Sequence, residues 1–381
     1  MTEKKPIQSC SRCLCDTTIS TIRFDEKGVC QYCHSHDILA TQFADAAVNQ
    51  KNLELMVEKI KADGKGKDYD CVVGVSGGTD SSYVLHLCKK LGLRPLAVHF
   101  DNGWNTKQAA QNIHKLTTKL NLDLHTHVVD WEEFRDLQVS FLKAATPCIE
   151  VPTDVGIHGT LFRTAAKEGL KYILGGQSFK TEGTVPKVWS YMDGTYINTV
   201  HKIFGTKKLK SHTNVTLFDV FYYTFVKGIK QVPILNYVDY SKTAAKSELK
   251  EVYGWEDYSG HHYENIYSRF AFGWYSFHKF GIDKRKVSYS GPVRTGQITR
   301  TEGLEKLKEL PDVPQDIVDY VVNKLRLSQA EFDAILKSPN KTYKDYFTSE
   351  NILKHMKTPA KLSIKWGYFT PVLYEKYFDG L

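Results

Sequence analysis

Residues 70–82, reading DCVVGVSGGTDSS, constrain the fold of this 381-residue chain more than any other stretch. The valine-dominated run from Asp70 to Val75 has the composition of a buried strand. Ser76-Gly77-Gly78-Thr79-Asp80-Ser81 then breaks that run and opens a helix. Paired glycines allow a tight turn with positive φ, in which successive backbone N–H groups face one anion and the positive end of the following helix lies behind them. The stretch therefore predicts a phosphate cradle between a strand and a helix. It is not a Walker loop, since Gly77-Gly78 lacks the GxxxxGK[ST] spacing and no lysine directly precedes the second hydroxyl.

A chain of this length can bury a sizeable core and divide into two or three domains. With 41% hydrophobic and 25% charged residues its composition is that of a globular protein. The segment MTEKKPIQSCSRC has no apolar core of the kind a leader needs, and no run of about 18 or more apolar residues occurs. The expectation is a cytoplasmic protein without a membrane span. A net charge of +8 suits anionic partners, namely ATP with a charged substrate, a membrane surface or RNA, and does not choose among them.

Cys10-x-x-Cys13 and Cys30-x-x-Cys33 are sixteen residues apart, a spacing at which two knuckle turns bring four thiolates together around zinc. Four such ligands leave no open coordination position, so the site is expected to be structural. Ile22–Phe24 and the turn Asp25–Gly28 between the pairs read as part of a zinc ribbon. An iron–sulfur cluster would use the same ligands and stays open.

Past a helical stretch over 40–60 and a break at 62–67, the pattern is that of alternating strands and helices. Strands are expected at 70–75, 94–100, 124–129 and 171–174, with helices after the cradle and over 105–120, 131–145 and 159–169. The right-handed crossover rule makes the strands parallel. Ligands of such sheets lie beyond the carboxyl ends of the strands, which places Asp101 beside a nucleotide and brings Gly175 and Glu182 to the same edge. A carboxylate at Glu182 or Asp80 could hold Mg²⁺ on the phosphates. The aromatic residues from Trp189 to Phe225 read as core. Lys207-Lys208-Leu209-Lys210 reads as a solvated basic loop, and His261-His262 as polar helix contacts rather than metal ligands. Arg285 and Arg294, in a basic segment over 284–300, are candidates for countering charge on pyrophosphate or on the substrate.

The SGGTDS loop resembles the PP-loop of ATP pyrophosphatases, which have the adenine nucleotide alpha hydrolase-like fold. The paired cysteines flanking FDEKGVC, SGGTDSSY, FDNGW, GGQSFKTEG, HHYENIYSRF and FGIDKRKVSYSGPVRTGQITR together resemble the N-acetyl sugar amidotransferases of bacterial surface-polysaccharide and nonulosonic acid synthesis, over about residues 10–310. FDNGW is also similar to a segment of GMP synthetase.

That resemblance implies an α/β doubly wound parallel sheet of the PP-loop type. A zinc ribbon would occupy 1–40, a helical linker 41–66, the ATP-binding domain 67–240, and a helical region closing over substrate and ATP 241–381. It implies conversion of a sugar acetamido group to an acetamidino group with release of AMP and pyrophosphate, in lipopolysaccharide or O-antigen synthesis. Ser76, Gly77, Gly78, Thr79, Asp80 and Ser81 would hold pyrophosphate, and Asp101 and Trp104 would lie near adenosine. ATP, Mg²⁺ and a structural Zn²⁺ at Cys10, Cys13, Cys30 and Cys33 are the implied cofactors. Partners would be an acetamido sugar, free or carrier-linked, and a separate glutaminase supplying ammonia, with no stable nucleic acid. A PP-loop tRNA thiolase and a non-catalytic nucleotide-binding scaffold are the alternative readings.

Overall fold

The computed structural model describes residues 6–258, 263–365 and 378. Helices α1 (Gln31–Gln42) and α2 (Ala46–Asp63) precede a sheet. The sheet comprises β1 (Cys71–Gly74), β2 (Pro95–Asp101), β3 (Leu124–Val128), β4 (Tyr172–Gly175) and β5 (Lys230–Pro233), all parallel, in the order 3-2-1-4-5. Between the strands run α3 (Thr79–Lys90), α4 (Lys107–Leu120), α5 (Trp131–Lys143), α6 (Val151–Lys167), α7 (Gly194–Phe204) and α8 (Leu217–Phe221). α9 (Lys242–Tyr253) follows β5. The doubly wound sheet is the architecture expected from the sequence, with a fifth strand, KQVP, that its polar composition concealed.

Alternation along the strands divides the core. Cys71, Val73 and Val75 pack with the residues of α2, α3 and α9 on one face, while Val72 packs on the other with Leu161, Phe162 and Ala165 of α6. Val72 and Val73 are fully buried, which stabilises the fold by roughly 1.5–3 kcal/mol for each side chain. Leu53, Val57 and Ile60 of α2 belong to the first face. The 41–66 segment is therefore part of the sheet's packing, where the sequence suggested a linker.

The C-terminal part contains α10 (Ile266–Arg269), a π turn over Phe270–Tyr275, α11 (Ser276–Phe280), α12 (Arg285–Arg294), α13 (Arg300–Lys308), α14 (Gln315–Lys324) and α15 (Gln329–Lys337). Its aromatic residues share one core with Trp104, Phe141, Tyr191 and Tyr196. Among the described residues no helix is long and apolar enough to cross a membrane. His261 and His262 lie outside the described residues.

A carboxylate-lined cradle and its four-cysteine brace

β1 pairs with β2 on one side and β4 on the other, so the strand order reverses at its carboxyl end, where open α/β sheets bind ligands. The loop that follows β1 turns at Gly77, whose φ is +79°. A Cβ there would collide with the Ala109 carbonyl at the start of α4. Ser76 and Ser81 tie the turn together: the Ser76 N–H donates to Ser81 Oγ at 3.2 Å, and the Gly78 N–H to Ser76 Oγ at 3.2 Å. Thr79 opens α3, placing Asp80 in its first turn. From outside, Trp255 Nε1 donates to the Gly77 carbonyl at 3.1 Å.

Asp80 does not stand alone. Tyr240 donates its hydroxyl to Asp80 Oδ1 at 2.5 Å, and Lys242 Nζ lies 2.9 Å from Oδ2. Burial pulls the Lys242 pKa down, but the fields of Asp80, Glu182 and Glu264 outweigh it, so the ammonium is held more firmly than usual. Burial first, then Asp80, raises the Tyr240 pKa and keeps the phenol protonated. Three carboxylates thus converge on one lysine beside the cradle. The bare Cα of Gly78 faces two further groups: a Cβ there would lie 3.1 Å from the Tyr258 hydroxyl and 3.3 Å from Glu264 Oε1. The Tyr258 hydroxyl is buried and has no hydrogen-bond partner among the described residues.

Gly175 ends β4, and its neighbour Gly176 is the residue that touches the cradle, where a Cβ would lie 3.0 Å from Asp80. Asp101 ends β2 and accepts from the Gly103 N–H at 2.9 Å and from Asn105 Nδ2 at 3.1 Å, shaping the turn beyond the strand. That turn is joined to the C-terminal part. The Thr106 N–H donates to the Glu264 carbonyl, the Ile266 N–H to the Trp104 carbonyl, and Asn265 Nδ2 to Asn102 Oδ1.

Three expected site residues lie elsewhere. Trp104 is fully buried, with Nε1 donating to Gln138 Oε1 at 2.9 Å and its ring among Trp131 and Tyr267, so it is core and offers no face to adenosine. Arg285 pairs with Asp283 at 2.7 Å and donates to the Glu309 carbonyl beyond α13. Arg294 reaches the cysteines instead of phosphate, with Nε 3.3 Å from Cys33 Sγ and Nη2 3.3 Å from Cys13 Sγ. Burial works against its charge, and the field of Cys13, Cys15 and Cys33 more than restores it.

The sulfurs of Cys10, Cys13, Cys30 and Cys33 all lie within 4.8 Å of one another. Three of the separations are 3.9 Å (Cys10–Cys33), 3.6 Å (Cys13–Cys30) and 3.7 Å (Cys30–Cys33). Tetrahedral zinc with Zn–S bonds of about 2.3 Å needs sulfurs about 3.8 Å apart. The cluster is thus compatible with structural zinc. The N–H groups of Arg12, Cys13 and Cys30 all point at Cys10 Sγ, as expected of thiolate ligands in knuckle turns. Cys15 stands outside the set, 3.5 Å from Ser290 Oγ.

Ribbon and cradle are mechanically connected. α12 carries Arg294 to the cysteines, while the Cα of Gly291 on the same helix packs against the backbone of Glu182, a Cβ there falling 2.8 Å from the Glu182 carbonyl carbon. Thr295 Oγ1 and Gln297 Nε2 both donate to the Lys180 carbonyl at 3.1 Å. Phe179 stacks on Phe43 at the end of α1, and its N–H donates to Asn236 Oδ1. The loop that carries Glu182 is held from three sides.

Tyr240, Lys242, Tyr258 and Glu264 were not marked as site residues by the sequence. Lys242 opens a helix after the concealed fifth strand, and only that strand's position beside β4 brings it to Asp80.

The strand order reverses at the cradle, and residues 70–140 match the phosphoadenosine phosphosulfate reductase domain, which marks this part of the chain as a PP-loop domain. Residues 264–360 match the C-terminal domain described as LPS biosynthesis protein WbpG-like. The chain thus carries a domain of the PP-loop type and, after it, a WbpG-like C-terminal domain. It is similar to an uncharacterized protein of Methanocaldococcus jannaschii, 30% identical over 170 residues, 44% of this chain and 58% of the relative; the chain thus spans little more than half of that relative's length. Among solved structures it is similar to the NH3-dependent NAD synthetase of Campylobacter jejuni, with 15% identity, 77% of this chain and 98% of the other covered, and a TM-score of 0.32. The NMN synthetase of Francisella tularensis matches with 15% identity over 56% of this chain and 98% of its own, with a TM-score of 0.26.

Proposed function

We propose that the protein is an ATP-dependent amidotransferase that converts the acetamido group of a sugar to an acetamidino group in surface-polysaccharide synthesis. One observation carries the reading: the WbpG-like domain begins at Glu264, and its first residues pair with the turn beyond β2 while Glu264 faces Gly78. This contact between the nucleotide cradle and the domain of polysaccharide type supports a site shared by the two.

In this reading the amide oxygen of the sugar attacks the α-phosphate of ATP and pyrophosphate leaves. Ammonia then adds to the imidate carbon and AMP departs, carrying the former amide oxygen. Adenylation is needed because an amide oxygen is a poor leaving group. The N–H groups of the 76–81 loop and the Ser76, Thr79 and Ser81 hydroxyls hold the pyrophosphate, with Tyr258 as an added donor. Asp80 and Glu182 would hold Mg²⁺, which supplies neutralisation of the leaving pyrophosphate. Lys242 keeps the three carboxylates tolerable as neighbours and adds positive charge where pyrophosphate separates. The cysteines outside the ribbon, Cys71, Cys88 and Cys148, are buried, which favours ammonia from a separate glutaminase and disfavours sulfur transfer through an accessible thiol.

The test is incubation with ATP, ammonium and acetamido sugars, with AMP and pyrophosphate measured alongside the mass of the sugar. The expected product is lighter by the exchange of oxygen for NH; ADP and orthophosphate would overturn the reading.

A further inference from the structure

The aromatic stretch that the sequence assigned to the core divides in two. Trp189, Tyr191 and Tyr196 are buried, whereas α8 and the π turn that continues it over Tyr222–Val226 carry an exposed face. Phe218 is 75% exposed, Phe221 51% and Val226 64%, and Tyr222 and Phe225 are exposed as well. These five residues stand at i, i+3, i+4, i+7 and i+8, one stripe of a helix, while Tyr223 stacks inward on Phe162 and Thr224 is buried. Phenyl rings held outward on a well-anchored helix are unusual on a protein surface in water.

Charge around the stripe selects its partner. From Asn198 to Lys230 there are six lysines (Lys202, Lys207, Lys208, Lys210, Lys227 and Lys230) and one acid. That acid, Asp219, is consumed by the helix's own capping box with Thr216. Lys227 sits over the Tyr222 ring at 5.6 Å, and Arg163 donates to the Asn214 carbonyl just before the helix. Asn214 also donates to Asn198 Oδ1, which sets α7, with exposed Lys202 and Ile203, beside the start of the stripe.

We propose that the Leu217–Val226 helix is an interfacial anchor that lays its aromatic face into the boundary region of a membrane rich in anionic lipids, the lysines meeting the headgroups. Aromatic and aliphatic groups on one side and an excess of lysines over acids in the same stretch are the two components of peripheral binding by an in-plane helix. A base-stacking surface for nucleic acid would have little use for Val226 and the closely packed rings of Phe221 and Phe225, 5.0 Å apart. Docking there would hold the protein at the surface without a spanning segment.

The test is co-sedimentation of the full chain with vesicles of phosphatidylcholine alone and of phosphatidylcholine mixed with phosphatidylglycerol. The expected result is binding to the mixed vesicles, weakened by salt and absent from phosphatidylcholine alone. The pair Phe221→Ser and Phe225→Ser should weaken it by about ten-fold or more. The pair Lys202→Gln and Lys227→Gln should weaken it by about five-fold per lysine. All variants should keep the thermal melting and ATP binding of the parent, because these side chains face solvent. Absence of binding to mixed vesicles, or binding that both variant pairs retain, would overturn the proposal. So would a dimer in sedimentation velocity that the serine pair dissociates, since the face would then belong to a second copy of the chain.

Discussion

Lys242 Nζ lies 2.9 Å from Asp80 Oδ2, joining the start of α9 to the first turn of the helix behind the phosphate cradle. In the proposed reaction this lysine answers charge that appears only as pyrophosphate separates. Lys242→Ala should therefore lower AMP formation by on the order of 10²-fold while shifting the ATP dissociation constant far less. Single-turnover kinetics with labelled ATP separate the two effects, and an equal loss in both would assign Lys242 to ground-state binding.

Gly77→Ala should abolish ATP binding and destabilise the fold. The added methyl group meets the Ala109 carbonyl, and the positive φ alone costs about 1–2 kcal/mol in a residue with a Cβ. Calorimetric titration with ATP and a thermal melt check this; normal ATP affinity would show that the turn has another conformation available.

Arg294→Met should loosen the metal without touching the nucleotide. Its guanidinium donates to two of the four sulfurs, and removing such an outer partner weakens a metal site by about 10–100-fold. Competition with a chromogenic chelator reads the zinc affinity, and fluorescence of a nucleotide analogue reads the cradle. Retained zinc affinity with lost ATP affinity would restore Arg294 to the phosphate role that its charge alone suggested.

His212 predicts a pH dependence of stability. Burial pushes its pKa down to about 4 from an ordinary value near 6.5, and both ring nitrogens are buried without hydrogen-bond partners among the described residues. The unfolded chain therefore takes up a proton at a pH where the folded chain does not. Stability from this group is intact above about pH 6.5 and is lost as pH falls towards 4, about 2 kcal/mol of it by pH 5. Denaturant titrations of the parent and of His212→Phe at pH 7 and pH 5 check the sign: the variant should lose less on acidification.

The cradle and the four cysteines were legible in the sequence because each is a local pattern: a strand ending in paired glycines, and two knuckle spacings. What escaped reading depends on tertiary proximity. Tyr240 and Lys242 follow a strand whose sequence, KQVP, has no hydrophobic signature. From sequence Arg285 and Arg294 suit pyrophosphate or a charged substrate, but a guanidinium suits a thiolate or a protein carboxylate equally well, and only the packing of α12 distinguishes them. Trp104 follows a strand end, the usual place for a ligand contact, yet its indole N–H finds Gln138 inside the core. The exposed rings of α8 share their spacing with core residues, and spacing does not tell which side of a helix meets water.

The contact between Gly291 and the Glu182 backbone gives the cysteine ribbon a reach beyond its own stability. α12 is a strut with sulfur at one end and the loop that carries Glu182 at the other. Oxidation of a single ribbon thiol, or loss of its metal to a competing chelator, should release that strut and silence ATP turnover from a distance. In the proposed reaction the four sulfurs would then act as a fuse, tying turnover to the metal supply and redox state of the surroundings.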